Sequence, residues 1–320
     1  MKLVMTWSVS PRDLKCLASR ALLCLAFTYI FVDAKPCAAG EVVTSPTSPP
    51  VPTLATARAE LPFEIQSEFA NGTAAGVITA RLAFSFATVS TALGMPAAWC
   101  EFVTLHLNVK GCVYHGEEDA DNGSRRNVII YSGRKEFQPL ADAYALDYDF
   151  TASPASATEQ RVTLSAARGP VGTKDYRIEV WVQGVSDSET ELKIAYQYHV
   201  SKLARLSFDT YLATIGARKV GFTVTTQDQE GRPVYVDGER GVMERNAMRY
   251  YLAIQAYLES LAVPALARSE WRCTRWFDLT EQYALQLHEI DRAEYLANKR
   301  REFRQQGTEQ AALTAAHDER

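Results

Sequence analysis

The chain is predicted to be an α+β protein in which an antiparallel meander sheet is covered by a long helix near the C-terminus. Two observations predict this. From Leu107 to Val200, short segments alternate apolar and polar residues and are separated by turn residues, the pattern of strands with one covered and one wet face. From Gly241 to Ala262 (GVMERNAMRYYLAIQAYLESLA), Met243, Ala247, Tyr250, Tyr251, Ile254, Leu258 and Leu261 recur at helical spacing with no Pro or internal Gly. A single amphipathic helix after a run of strands serves to cover their apolar face.

The strands are expected at Leu107 to His115, Asn127 to Gly133, Ala141 to Thr151, Gln160 to Ala166, Asp175 to Gln183 and Glu191 to Val200. Tyr144, Leu146, Tyr148 and Phe150 share one face against Asp147 and Asp149. Tyr176, Ile178, Val180 and Val182 oppose Arg177, Glu179 and Gln183, and Leu192, Ile194, Tyr196 and Tyr198 oppose Lys193, Gln197 and His199. Ahead of them, Phe63, Ile65 and Phe69 lead into Asn71-Gly72 and then Val77 to Leu82, a hairpin signal. Phe84 to Val103 reads as two short helices broken at Pro96. Lys202 to Ile215 reads as a helix, and Gly221 to Asp237 as a looser strand-like excursion with Gly231-Arg232-Pro233 at its tip. Leu279 to Arg304 is expected to be one more helix, with Lys299-Arg300-Arg301 near its solvated end and Thr308 to Arg320 fraying.

The first residues carry a compartment signal. Lys2, Arg12, Lys15 and Arg20 precede the apolar run Ala21 to Val32, and Val32-Asp33-Ala34 ends it with small residues. The run is too short to span a bilayer and fits a secretory signal over 1–34, cut after Ala34 or near Ala39, with a retained anchor as the alternative. Residues 35–60, rich in Pro, Ser and Thr, form a flexible leader. The domain proper is expected over 61–262, with 202–240 as an insertion and candidate lid, and a helical tail over 263–320. Asn71-Gly72-Thr73 and Asn122-Gly123-Ser124 fit glycosylation sequons, but turns explain both equally well.

A net charge of -4 provides no general field for nucleic acid. In an exported chain Cys100 and Cys112 are candidates for a bridge; the other reading keeps them as buried thiols, and Cys273 has no evident partner. There is no CxxC or Cys/His cluster, no GxSxG, HExxH or dinucleotide fingerprint, so neither a metal nor a cofactor is expected. Gly169-Pro170-Val171-Gly172-Thr173-Lys174 lacks the spacing of a phosphate loop and reads as a turn.

This order of elements is similar to the helix-grip fold of the START-like lipid-transfer and polyketide-cyclase superfamily, over about Leu61 to Ala262. The stretches AAWCEFVTLHLNVKGC (Ala97 to Cys112), GPVGTKDYRIEV (Gly169 to Val180) and ERNAMRYYLAIQAYL (Glu244 to Leu258) also resemble those of exported proteobacterial START-like proteins of undefined function. The resemblance implies a cavity between the sheet and the helix Gly241 to Ala262, holding a lipid, a sterol-like molecule or another apolar ligand, and it implies no catalytic residues.

Candidate ligand contacts are Tyr144, Tyr148, Tyr196, Tyr198 and Tyr250, whose rings are apolar and whose hydroxyls orient a polar group, together with Ile254. Asn246 and Arg249, one turn apart, are spaced to share a polar target, or else mark the edge of the apolar stripe and reach solvent. Asp175 and Arg177 are expected in a cross-strand ion pair, and His199 as an ordinary sheet histidine. Three functions remain open at this stage. The first is an exported carrier of an apolar ligand in the periplasm, with peripheral membrane contact through the basic tail. The second is a cyclase or isomerase using Tyr, His199 or Asp175 as acid or base. The third is a packed interaction module whose tail, with Trp271 and Trp276, docks a partner.

Overall fold

The computed structural model describes residues 63–115, 126–153, 156–201 and 219–318. The secretory signal, the leader, the second sequon, the helix Lys202 to Ile215 and residues 202–218 of the 202–240 insertion lie outside the described residues.

Strands β1 (Phe63–Ala70) and β2 (Thr73–Leu82) form a hairpin in full register, from Ala70 opposite Thr73 to Phe63 opposite Ala80. Asn71 and Gly72 both adopt positive φ, 52° and 77°. That is the twist a two-residue hairpin turn needs, and Asn-Gly supplies it with least strain. The meander follows as β3 (Val109–His115), β4 (Asn127–Ser132), β5 (Tyr144–Ala152), β6 (Glu159–Arg168), β7 (Thr173–Ser186) and β8 (Glu189–Val200). The hairpin joins it through β2 and β8, giving one antiparallel eight-stranded sheet in the order β1-β2-β8-β7-β6-β5-β4-β3. The predicted alternation holds: Leu146, Tyr148, Phe150, Val162, Leu164, Val180, Leu192 and Ile194 are buried on one face.

Two strands differ from expectation. β5 begins at Tyr144 because Leu140–Asp142 forms a 3-10 turn behind Pro139. In β7 a bulge between Lys174 and Arg177 puts Asp175 at φ 54°. Among the described residues neither Asp175 nor Arg177 makes the expected cross-strand ion pair. Asp175 pairs instead with Lys174, and Arg177 with Glu179 on its own strand.

Helices α1 (Phe86–Leu93) and α2 (Pro96–Val103) are the two short helices expected around Pro96. The Ser85 hydroxyl caps α1 by accepting the Thr88 N–H at 3.3 Å. Pro96 sits in the first turn of α2, where its missing N–H costs nothing. Cys100 in α2 and Cys112 in β3 are bonded, with Cα atoms 4.9 Å apart. The excursion before the long helix is a small ribbon of β9 (Val224–Gln227) and β10 (Pro233–Tyr235). Its base is fastened by the buried Glu244 carboxylate, which accepts the N–H groups of Phe222 and Thr223 and the hydroxyls of Ser67 and Thr223 at 2.6–2.8 Å.

The long helix α3 (Gly238–Glu259) packs against β1, β2, β8 and α2. It crosses β2 at Gly76, where an added Cβ would lie 3.3 Å from that of Met243; the missing side chain lets the helix approach the sheet. α3 is not the amphipathic surface helix that its periodicity predicts. Arg245, Met248, Arg249, Leu252 and Ala256 are buried as well, because helices α4 (Arg268–Glu281) and α5 (Ala284–Leu287) cover its other side, with α6 (Arg292–Asp318) packed against α4 and β3.

The single helix expected at Leu279 to Arg304 is therefore several elements, and α6 does not fray after Thr308. Its Gln306 and Gln310 side chains hold the edge strand β3: Oε1 of each accepts a backbone N–H, of Cys112 and Tyr114 respectively, at 3.0 Å. The Gln310 Nε2 returns a bond to the Tyr114 carbonyl at 3.1 Å. An edge strand that could pair with another chain is thus occupied by a helix. The basic cluster lies within the helix and not at its end, and its members differ: Lys299 is buried, while Arg300, paired with Glu270, and Arg301, over the Phe137 ring, are exposed as expected. Among the described residues no helix is long and apolar enough to cross a membrane.

Candidate functional site

Between α3, α2 and the inner face of the sheet lies a cavity of about 300 Å³. Strand alternation places Leu146 and Tyr148 from β5, Tyr176, Ile178 and Val180 from β7, and Ile194, Tyr196 and Tyr198 from β8 in its wall. Trp99 and Phe102 of α2 close one side; Val242, Asn246, Ala247, Tyr250 and Ile254, at successive turns of α3, form the roof. None of the lining residues is Asp, Glu, Lys or Arg. The polar groups are hydroxyls, the amides of Asn108 and Asn246, and the His106 imidazole.

The tyrosines form a connected cluster. Tyr176 stacks on Tyr198 with centroids 5.1 Å apart and meets Tyr148 edge-on at 6.4 Å, while Tyr196 touches Tyr198 at 5.6 Å and Tyr250 at 6.4 Å. The Tyr176 hydroxyl bonds to Thr173 Oγ1 at 2.7 Å. Among the described residues, the hydroxyls of Tyr148, Tyr196, Tyr198 and Tyr250 make no hydrogen bond to protein. Tyr196 and Tyr250 lie deep in the fold yet keep accessible surface, and that surface faces the cavity. Burial, with neighbouring tyrosines adding to it, pushes Tyr148 and Tyr196 well above the usual range, and burial raises Tyr250 to about 12. These hydroxyls are neutral donors and acceptors at any physiological pH.

His106, in the loop from α2 to β3, is 3% exposed and stacks on Tyr250 with centroids 5.0 Å apart. Its Nδ1 accepts the Asn108 N–H at 3.1 Å, which assigns the proton of the neutral ring to Nε2. Nε2 is buried without a partner. Asn246 stands beside it, close enough to favour the charged form slightly, but no hydrogen bond of normal geometry closes between them. Burial first, then the charges of Arg249 and Lys299, hold His106 well below the ordinary histidine value, so the ring is a fixed neutral donor. An unsatisfied buried donor of this kind costs about 1–3 kcal/mol.

Of the residues singled out from sequence, Tyr148, Tyr196, Tyr198, Asn246, Tyr250 and Ile254 line the cavity. Tyr144 and Arg249 do not. Tyr144 is on the right face of β5 but at its open start, 40% exposed. Arg249 neither reaches solvent nor shares a target with Asn246; it turns to the tail, bonding Glu289 at 3.0 Å and the Leu287 carbonyl. His199 lies on the outer face, 3.5 Å from Thr73 Oγ1, and Asp175 is exposed, so neither is an acid or base for this cavity. Sequence reasoning missed Tyr176, although it is in phase with Ile178, and it missed His106, which lies in a loop and has no periodic signal. Cys273 is a buried free thiol that burial pushes up to about 12, which makes it unreactive. Among the described residues no cluster of His, Cys, Asp and Glu is placed to hold a metal.

No family model and no curated relative matches the chain. Solved structures do. A START superfamily protein from Mycobacterium smegmatis is 13% identical, covering 42% of this chain and 88% of its own, with a TM-score of 0.29. Truncated norcoclaurine synthase from Thalictrum flavum is 16% identical over 45% and 87%, at 0.30. Human StAR-related lipid transfer protein 5 is 9% identical over 64% and 89%, at 0.34. Likenesses this distant say nothing about ligand or activity. The helix-grip architecture is read from the chain's own strand order and from the long helix held against its sheet.

Proposed function

We propose that this is an exported binding protein or carrier that holds one compact, uncharged, largely apolar molecule between sheet and helix. The observation that carries the reading is the cavity itself: about 300 Å³, walled by aromatic and aliphatic side chains, with tyrosyl hydroxyls that the protein leaves unbonded and no charge in its lining. Ligand sites are hollows of this kind, mostly apolar with a few placed polar groups. At about 30 Å³ per water-sized group, the space of about 300 Å³ suits roughly ten non-hydrogen atoms. A two-chain lipid exceeds it several-fold; a ring compound or short single chain fits. Export is supported by the apolar run Ala21 to Val32 and by the Cys100–Cys112 bond, since disulfides persist in oxidising compartments.

The test is native mass spectrometry, with organic extraction, of mature protein purified from its own envelope without detergent. Wild type is expected to carry a stoichiometric adduct, and an Ile254→Trp variant, which fills the cavity from α3, is expected to carry none. A bare wild type that also takes up no apolar compound in vitro would return the balance to a packed interaction module.

A further inference from the structure

We propose that His106, assisted by Asn246, is the polar anchor of this cavity, and that the bound molecule is an uncharged ring compound presenting an oxygen acceptor, a carbonyl or hydroxyl, to the His106 Nε2–H. The inference rests on the cavity being a ligand site and adds which end of the ligand is polar and what receives it.

Three observations converge on it. First, the backbone specifies the donor. The Asn108 N–H occupies Nδ1, so the remaining proton of the ring must sit on Nε2. Second, that donor has no hydrogen bond of normal geometry among the described residues; the Asn246 amide is its polar neighbour, and His106 and Asn246 both line the cavity. Unlike a tyrosyl hydroxyl, the imidazole cannot swing its N–H toward another acceptor, because its ring is held on one side by the Asn108 bond and on a face by Tyr250. Third, the charges within reach of the ring, Arg249, Lys299 and Lys110, are all cationic. Each is bonded to protein carboxylates or carbonyls, so none enters the cavity, but together they favour the negative end of a ligand dipole near Nε2. A ligand cation would be repelled there. A carboxylate would be buried with no lining cation to pair with.

A matched pair of probes isolates the anchor: 1-tetralone and tetralin, which share one ring system and differ by a carbonyl oxygen. Binding to the full chain is read by calorimetry. Wild type is expected to prefer tetralone by about tenfold. In His106→Phe the ratio between the two probes should fall to about one, whatever happens to the affinity they share. The ¹⁵N and ¹H shifts of His106 in labelled wild type give a second readout that needs no variant: a neutral Nε2–H ring without ligand, whose Nε2 proton moves downfield with tetralone and stays put with tetralin. Equal binding of both probes to wild type, with no movement of that proton, overturns the anchor and leaves the cavity reading standing. Binding of neither probe overturns both.

Discussion

On one side of α3 the cavity wall carries tyrosyl hydroxyls, two amides and an imidazole, with no charged group among them. On the other side, beneath α4 and α6, charges are buried outright and fully paired. Lys110 and Lys299, 0% and 2% exposed, share Glu302, each at 2.8 Å to a different oxygen. Lys110 also donates to the carbonyls of Leu107 and Glu136, and Lys299 to those of His106 and Val109. Each ammonium thus has three acceptors for its three protons. The contrast teaches where this protein completes its own bonds and where it does not. Under the tail the charged groups of Lys110, Lys299 and Glu302 find their partners within the chain, so charge is tolerated. In the cavity the polar groups are neutral and open, the state in which an empty site costs least and an occupant can still be oriented. The two regions meet at His106 and Val109, whose carbonyls are held by Lys299 while both residues line the cavity. The tail is accordingly a support for the cavity loop.

The largest expected effect comes from breaking the charged side. Glu302→Gln removes one negative charge and leaves two buried cations sharing a neutral amide, which should lower unfolding stability by about 3–5 kcal/mol in urea titrations. A loss below about 1 kcal/mol would mean that water reaches these lysines and that the contrast is false. The same region makes a pH prediction. Lys110 is lowered from 10.5 to about 8, with burial as the main cause and Lys299 next. Between those values the unfolded chain holds a proton that the folded chain has released, so folding stability rises with pH across that window and is flat below it on account of this group. At 1.36 kcal/mol per unit, wild type should gain about 3 kcal/mol relative to Lys110→Met between pH 8 and 10.5. A constant difference between the two would place the lysine in a wetter site.

The Cys100–Cys112 bond fastens α2, one cavity wall, to β3, which α6 covers. Replacing both cysteines by Ala should cost about 3 kcal/mol in the chain-entropy account for a loop with a sequence separation of 12. The thermal midpoint of the double variant should no longer respond to dithiothreitol. If wild type is equally indifferent to the reductant, the bond contributes nothing to stability.

Legibility in the sequence followed the same divide. The sheet was readable because each strand alternates within itself, and the first turn because Asn71-Gly72 is a local signal. Tyr148, Tyr196 and Tyr198 could be placed on the inner face for the same reason, and Tyr176 obeyed the same phase. The buried charges were not readable. Lys110 and Glu302 stand 192 residues apart, and on paper Lys299 belongs to a basic run that reads as a wet helix end. Arg249 looked like the edge of an apolar stripe because α4 and α5, which cover it, are specified elsewhere in the chain. His106 lies in a loop, where neither period applies, and its role arises from an Asn108 N–H and a Tyr250 ring that only the fold brings to it.

The smallest effect tests the open side directly. Tyr196→Phe and Tyr250→Phe each delete a hydroxyl with no hydrogen bond to protein among the described residues, so each should change stability by less than about 0.5 kcal/mol in the ligand-free protein. Tyr176→Phe deletes a hydroxyl bonded to Thr173 and should cost about 1 kcal/mol, the net worth of an ordinary hydrogen bond. The three rings share one cluster and one apolar setting, so differences in packing largely cancel, leaving hydroxyl bonding as the variable. Equal losses at all three positions would mean that the cavity hydroxyls are bonded after all, through water held as firmly as a side chain. A ligand would then have to displace that water, and the affinity gained through Tyr196 and Tyr250 would shrink accordingly.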